Sequence, residues 1–292
     1  MTDWVQNILP KPLENPTLRV LSLGAGVQST VMAMMAESEA FGPRPDCAIF
    51  ADTGWEPKEV YGHLDWLEKQ ISFPVYRVES GNIKHDLENN LNTTGHNFSA
   101  IPFFMVNKDG TFGMARRQCT SEYKLKPIRK KVRELIGLKP RQRTPKGVMV
   151  EMWMGISRDE VQRMKESSDS WVTNRWPLLE KEMRRYDCLD WFRERHPQRT
   201  LAKSACIGCP FHDDHEWSHI KNNYPEEFEE ACQIDEKLRD PEMDGGKFHG
   251  QRYLHAQRVP LREVRFNTAS ETGQQDLFND LMQNECDGMC GI

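Results

Sequence analysis

The stretch from Arg19 to Met35 constrains this chain more than any other. Leu18, Val20 and Leu21 form a short apolar run of strand type. Ser22 to Ser29 is small and polar, and Thr30 to Met35 is apolar again with good helix formers. The order is strand, tight loop, helix start. Glycine lets a backbone turn sharply and approach a ligand closely. The first free N–H groups of the helix then face whatever occupies the loop, and the helix dipole favours an anion there. Ser22, Gly24, Gly26, Gln28 and Ser29 therefore form a candidate phosphate or sulfate site. The loop is not a P-loop, because it ends Val27-Gln28-Ser29 rather than Gly-Lys-Ser/Thr. It is not G-x-G-x-x-G either, since Ser29 takes the third glycine's place. Taken alone, it also reads as an ordinary strand-to-helix turn.

A second strand, Ala48-Ile49-Phe50, ends in Asp52-Thr53-Gly54, and Glu56 with Pro57 opens another helix. Ligands of open α/β sheets sit outside the carboxyl ends of the strands, so two such loops one helix apart face one crevice. Val148, Val150, Met152 and Met154 alternate like a further strand. Gly155 to Glu160 follows it, with Ser157 placed to cap a helix and Glu160 at its third position.

Elsewhere the pattern predicts helices over 57–70, 82–91, 121–136, 187–196 and 226–238, and a strand over 74–78. Asp187 reads as a helix cap and Cys188 as buried packing. Residues 92–113 are polar with glycines, a lid or an ordered surface loop. The fold class is α/β: a mostly parallel sheet with helices on both faces, plus a helical C-terminal part. The nucleotide-binding core is expected over 17–200, with 201–292 packed on it.

With 292 residues, 38% of them hydrophobic, the chain supports one large domain or a domain plus a subdomain. A net charge of −5 argues against a protein that binds nucleic acid over its whole surface. Arg116 to Lys146 departs locally, with twelve Lys and Arg against two acids, which suits a nucleotide's phosphates or a nucleic-acid acceptor. Residues 1–16 contain no apolar segment of signal-peptide type, and no run approaches the ~20 apolar residues of a membrane span, so a cytoplasmic protein is expected. Eight cysteines in such a chain imply reduced thiols used for metal binding or catalysis.

Cys206-Ile207-Gly208-Cys209 is the strongest chemical signal after the loops. A C-x-x-C pair admits a redox pair, though no thioredoxin pattern surrounds this one. It also admits structural zinc, with His212 and His215 completing a tetrahedral site. The third reading is an iron–sulfur cluster, which needs further cysteines. His215 and His219 otherwise read as surface residues. Cys286 and Cys290, four apart in the tail, suit attack followed by resolution, unless the tail is frayed and its cysteines accidental.

Ser22 to Ser29, followed by Phe50-Ala51-Asp52-Thr53-Gly54 with Glu56, Glu59, Val60 and Tyr61, resembles the phosphoadenosine-phosphosulfate (PAPS) reductase family. That family belongs to the N-type ATP pyrophosphatases, or adenine nucleotide α-hydrolases. The resemblance implies an adenine nucleotide as substrate, phosphate or sulfate held by the first loop, and Asp52 beside the adenosine. Gln28 suits the sulfonucleotide-reductase branch, whereas the ATP-pyrophosphatase branch carries S-G-G-x-D-S. Gly155-Ile156-Ser157-Arg158-Asp159-Glu160 matches a family G-x-x-R-x-E whose arginine, here Arg158, faces the nucleotide. In cluster-bearing reductases a Cys-Cys pair starts a basic helix and C-x-x-C follows later. Cys119, Cys206 and Cys209 fill three of those positions and Thr120 replaces the fourth, so a 4Fe-4S cluster takes Cys290 or leaves one iron open. Glu285-Cys286, with Asp287 inserted before Gly288, matches the family's nucleophile motif and makes Cys286 catalytic. A thiol or ferredoxin-type donor would supply electrons.

Two other functions compete. One is ATP-dependent, cluster-dependent thiolation of a nucleic acid, with the 116–146 stretch docking the acceptor. The other is a zinc-stabilised nucleic-acid-binding module.

Overall fold

The computed structural model describes residues 8–89, 91, 101–201, 203–240 and 250–266; Glu285, Cys286 and Cys290 lie outside them. The chain opens with β1 (Leu18–Leu23), α1 (Val27–Glu37), β2 (Cys47–Asp52), α2 (Lys58–Leu67) and β3 (Val75–Glu79). It returns to the same sheet through β6 (Val150–Trp153) and β7 (Val172–Arg175). The strand order is β3-β2-β1-β6-β7 and every pairing is parallel. The chain winds outward from β1 to β3, then crosses to the other side of β1. The direction of winding therefore reverses between β1 and β6, the place where open α/β sheets bind ligands.

Both faces of the sheet are covered, as parallel pairing requires. Leu21 and Leu23 of β1 and Ala48 and Phe50 of β2 pack with α1 and α2 on one side. Val20, Cys47, Ile49, Val150 and Met152 pack on the other side with Ile128 and Val132 of α4 (Lys126–Leu135). Neighbouring residues serve opposite faces because side chains alternate along a strand. The expected α/β class with helices on both faces is what the chain adopts.

Several local expectations are corrected. The 82–91 helix is the shorter α3 (Ile83–Glu88). The described part of 92–113 is not a plain loop. It holds β4 (Phe104–Asn107) and β5 (Phe112–Met114), which join β8 (Gly250–Tyr253) in an antiparallel sheet of order β5-β4-β8. Runs of three and four residues are too short for a period-two pattern to register. The 121–136 helix begins as a π-helical turn, Thr120–Leu125, before α4. Ser157 stands at the cap of a 3-10 turn (Arg158–Arg163) but makes no side-chain cap bond. α5 (Pro177–Glu180) follows β7. Asp187 is the third residue of α6 (Arg185–Arg195), where its Oδ2 accepts the Arg184 N–H at 2.7 Å. Cys188 is buried packing, as expected.

The C-terminal part contains α7 (Asp214–Asn223) and α8 (Pro225–Leu238). Its apolar residues share one cluster with Trp55, Ile83 and Tyr123, so it is packed into the α/β core. Asp235, fully buried on α8, accepts the N–H groups of Leu254 and Leu261, both at 2.8 Å. That carboxylate ties the helix to the end of β8.

His63 of α2 is buried beside α1, with Nε2 2.9 Å from Thr30 Oγ1 and Nδ1 unpartnered. Burial, and then the charge of Arg199, push its pKa down to about 4. An unfolded imidazole takes its proton near pH 6.5, so acid favours the unfolded chain between that pH and about 4. His63 should therefore cost about 2 kcal/mol of stability between pH 7 and pH 5. Denaturant unfolding at the two pH values should show a smaller difference for His63→Gln than for the native chain.

Candidate functional site

The site begins where β1 becomes α1. Gly24 N–H donates to Ser29 Oγ at 3.2 Å, and that hydroxyl reaches Gly26 O at 3.4 Å, so Ser29 clasps the loop internally. The left-handed turn falls on Ala25, with φ 59°. A non-glycine residue there stores on the order of 1 kcal/mol, and such strain concentrates at functional loops. As at any helix start, the first N–H groups of α1 have no carbonyl one turn earlier within the helix to bond.

Gln28 is fully buried. Its Nε2 donates to Glu160 Oε2 (3.0 Å) and Ser157 Oγ (3.3 Å), and its Oε1 accepts from Arg185 Nη1 (3.0 Å). Its amide thus braces the loop against the exit of β6 and the start of α6. Gly155 presses on the same place: a Cβ there would lie 3.0 Å from Ser29 N. Arg158 follows, half-buried, its N–H donating to Met183 O at 2.8 Å. The first loop and the Gly155–Glu160 segment are therefore in contact at the point where the winding reverses.

The Asp52-Thr53-Gly54 turn divides its work. Asp52 Oδ1 accepts from Gly54 N and Tyr61 Oη, both at 2.7 Å. Thr53 turns inward, donating to Glu56 Oε1 (3.1 Å) and lying 3.2 Å from Cys206 Sγ. Glu56 is buried and faces Lys124 Nζ at 3.6 Å. Lys124 is only 6% exposed. Its side chain lines a small cleft with Ser22 and Gly24, and also a second cavity with Cys119, Thr120, Cys206 and Cys209. The sequence counted Lys124 only as part of a basic run. The π-helical turn buries Thr120, Glu122, Tyr123 and Lys124 together, and single-turn π-helices favour functional positions.

The fold brings Cys119, Cys206 and Cys209, distant in sequence, to one cavity. Burial, then the charge of Glu56, push the Cys206 thiol well above its usual range. Among the described residues, no group of three or more His, Cys, Asp or Glu side chains stands close enough to hold a metal ion. The donors are of the kind an iron–sulfur cluster takes, three thiols with the buried, unpartnered hydroxyl of Thr120 beside them, but as arranged they do not stand close enough together to ligate one. The zinc arrangement with His212 and His215 is not assembled. His212 Nε2 is bonded to the carbonyl of Cys206 at 2.9 Å, and its ring packs on Trp217. His215 is half-buried and His219 exposed on α7.

The rest of the basic stretch is spread out. Lys126 pairs with Glu122, Arg129 with Asp169 and Lys131 with Glu134. Gly208 lies flat against Trp55, where a Cβ would come within 2.2 Å of the indole. Gly208→Ala should cost about 1–3 kcal/mol through overpacking, and much less in a Trp55→Leu background. Denaturant melts of the two single variants and the double variant measure that coupling.

No protein-family model matches the chain, and no curated protein matches it in sequence. Among solved structures, it is similar to a phosphoadenylyl-sulfate (PAPS) reductase from Candida auris in its phosphate complex. That match has 13% identity and a TM-score of 0.39, and covers 66% of this chain and 76% of the other. It is also similar to a U34-tRNA thiolase from Methanococcus maripaludis with its 4Fe-4S cluster. There the identity is 14% and the TM-score 0.39, over 80% of this chain and 75% of the other.

Proposed function

We propose that this chain is an enzyme of the sulfonucleotide-reductase type, acting on the sulfur of an adenine nucleotide. The observation that carries the reading is Lys124, a buried cation whose side chain lines both the anion loop's cleft and the thiol cavity. Keeping a lysine out of water costs free energy, and its Glu56 partner does not by itself account for a place between the two cavities.

In this reading Ser22, Gly24, Gly26 and Ser29 hold phosphate or sulfate, with Gln28 as the brace. Asp52, at the end of β2, and Arg158, beyond the end of β6, place the nucleoside and its anionic groups from either side of β1. Lys124 steadies the negative sulfo group. The Cys286 thiolate attacks sulfur, and the sulfur–oxygen bond to phosphate breaks. Its electron pair leaves on the nucleotide, and Cys286 carries a thiosulfonate. One thiol of a dithiol donor attacks the Cys286 sulfur and releases sulfite. The donor's second thiol then frees Cys286, and the donor ends as a disulfide. An iron–sulfur cluster on Cys119, Cys206 and Cys209, with Cys290 or an open position as the fourth site, would supply Lewis acidity beside the sulfo group.

A second reading, ATP-dependent thiolation of a nucleic acid, is favoured by α4. Lys126 and Arg129 each keep 53% of their side chains exposed there, within reach of a phosphate backbone.

Anaerobic preparation followed by iron and sulfide analysis is the first test. A colourless protein with stoichiometric zinc would instead favour the nucleic-acid-binding module. Gly24→Val should weaken nucleotide binding at least tenfold in calorimetry by blocking backbone approach. Cys286→Ser should keep nucleotide binding but abolish turnover and any sulfonate adduct seen by mass spectrometry. A native protein that thiolates RNA or DNA with ATP and ignores sulfonucleotides would overturn the reductase reading. In that case Cys206→Ser should matter more than Cys286→Ser.

A further inference from the structure

The small antiparallel sheet has one face in the core and one outside it. Phe103 and Met105 turn inward and join the cluster around Trp55 and Tyr123. On the outer face Phe104 stands opposite Met114, and Val106 opposite Phe112. Directly opposed residues of an antiparallel pair share a face. Phe112 is 68% exposed and Met114 39%, both on β5, an edge strand. Exposed large apolar side chains number five among the described residues, and a third of them, Phe211 at 40%, lines the thiol cavity. There the Arg117 guanidinium, three residues beyond Met114, lies 5.3 Å from the Phe211 ring centre. Exposed apolar side chains grouped in this way mark a docking surface.

Arg258 gives this face its charge. Its guanidinium lies 4.3 Å from the Phe112 ring centre and 5.4 Å from that of Phe104. Its Nη1 donates to Ala256 O at 2.8 Å and its Nε is buried without a partner. It pairs with no carboxylate among the described residues, and neither does exposed Arg116, two residues beyond Met114. The matching occupant is apolar and acidic, and this chain carries one. Residues 267–292 hold five acids, Glu271, Asp276, Asp280, Glu285 and Asp287, and no Lys or Arg. Leu277, Phe278, Leu281 and Met282 are grouped among those acids. The chain also enters that stretch beside the face. Gln257, next to Arg258, donates from Nε2 to Arg265 O at 3.0 Å, and the Phe266 ring packs on Phe228 and His255. Residues 267–276 can span up to about 35 Å. The four-residue strands β4 and β8 are only about 13 Å long, so the face is within reach.

We infer that residues 277–282 dock on the outer face of the β4-β5-β8 sheet, their apolar side chains against Phe112 and Met114 and the neighbouring acids toward Arg258 and Arg116. In the reductase reading, on which this one step rests, the dock positions Cys286, four residues beyond Met282. The test places p-benzoylphenylalanine at position 112 of the full chain. Irradiation and peptide mapping should join it to 277–282 of the same molecule. In hydrogen exchange, Phe112→Ser and Leu281→Asp should each speed the amides of 277–282 at least tenfold. Phe112 is exposed, so its variant should melt within a few degrees of the native chain. Leu281→Asp, made on the other partner, keeps the test decisive if it does not. Cross-links to a second copy, growing with protein concentration, would assign the face to a dimer and overturn the inference. Single-stranded RNA that protects the 112–114 amides while 277–282 exchange freely would overturn it too, as would native exchange in both variants. None of these readouts uses a substrate, so a protein that ignores sulfonucleotides would fail the reductase reading without touching the dock. Turnover lost in Phe112→Ser at unchanged nucleotide affinity would tie the dock to Cys286, and native turnover would break that tie.

Discussion

Gln28 makes three hydrogen bonds in a place water does not reach, and the shape of the loop between β1 and α1 depends on them. The loop's own atoms supply only part of a fixed shape. Ser29 closes the loop on itself. Gln28 then fastens it to the exit of β6 and the start of α6, elements more than a hundred residues away. Replacing the amide by an apolar side chain would leave the Arg185 and Glu160 groups short of a partner inside the fold, a cost of about 1–3 kcal/mol for each such group. The brace also explains how Ala25 keeps a left-handed backbone. The surroundings over-determine the turn, so the strain persists.

The second constraint is the buried chain from Lys124 through Glu56 and Thr53 to Cys206. Removing the Lys124 charge would leave the buried Glu56 carboxylate without its cation, at about 3–5 kcal/mol. Stability alone is a poor reason for such a pair, since apolar residues of similar size often pack as well. What the pair achieves is placement: a positive group fixed where it lines both the cleft at the β1–α1 loop and the thiol cavity.

Much of this was legible in the sequence, and the misses have physical causes. The strand-loop-helix at 18–35 could be read because composition changes sharply at each boundary. The parallel sheet followed from alternating strand and helix signals. The convergence of Cys119 with Cys206 and Cys209 came only from the family resemblance, because no local pattern links residues some ninety apart. Lys124 was missed since burial is a tertiary property, and a lysine in a basic run reads as solvated. The β4-β5-β8 sheet was invisible because its strands are short and one partner lies far along the chain. Gln28 was read as facing a ligand, while its geometry gives it a structural bond set that the motif alone does not reveal.

The burial of Cys206 separates the roles of the cysteines. A nucleophilic thiol needs an open path to its electrophile and surroundings that favour thiolate. Cys206 has neither: Thr53 and Glu56 stand against its sulfur, and the Trp55 indole closes over the adjoining Gly208. The nearby carboxylate opposes a second negative charge. Cys119 and Cys209 are half-buried on the rim of the same cavity. Such an arrangement suits sulfur donors that hold a group in place.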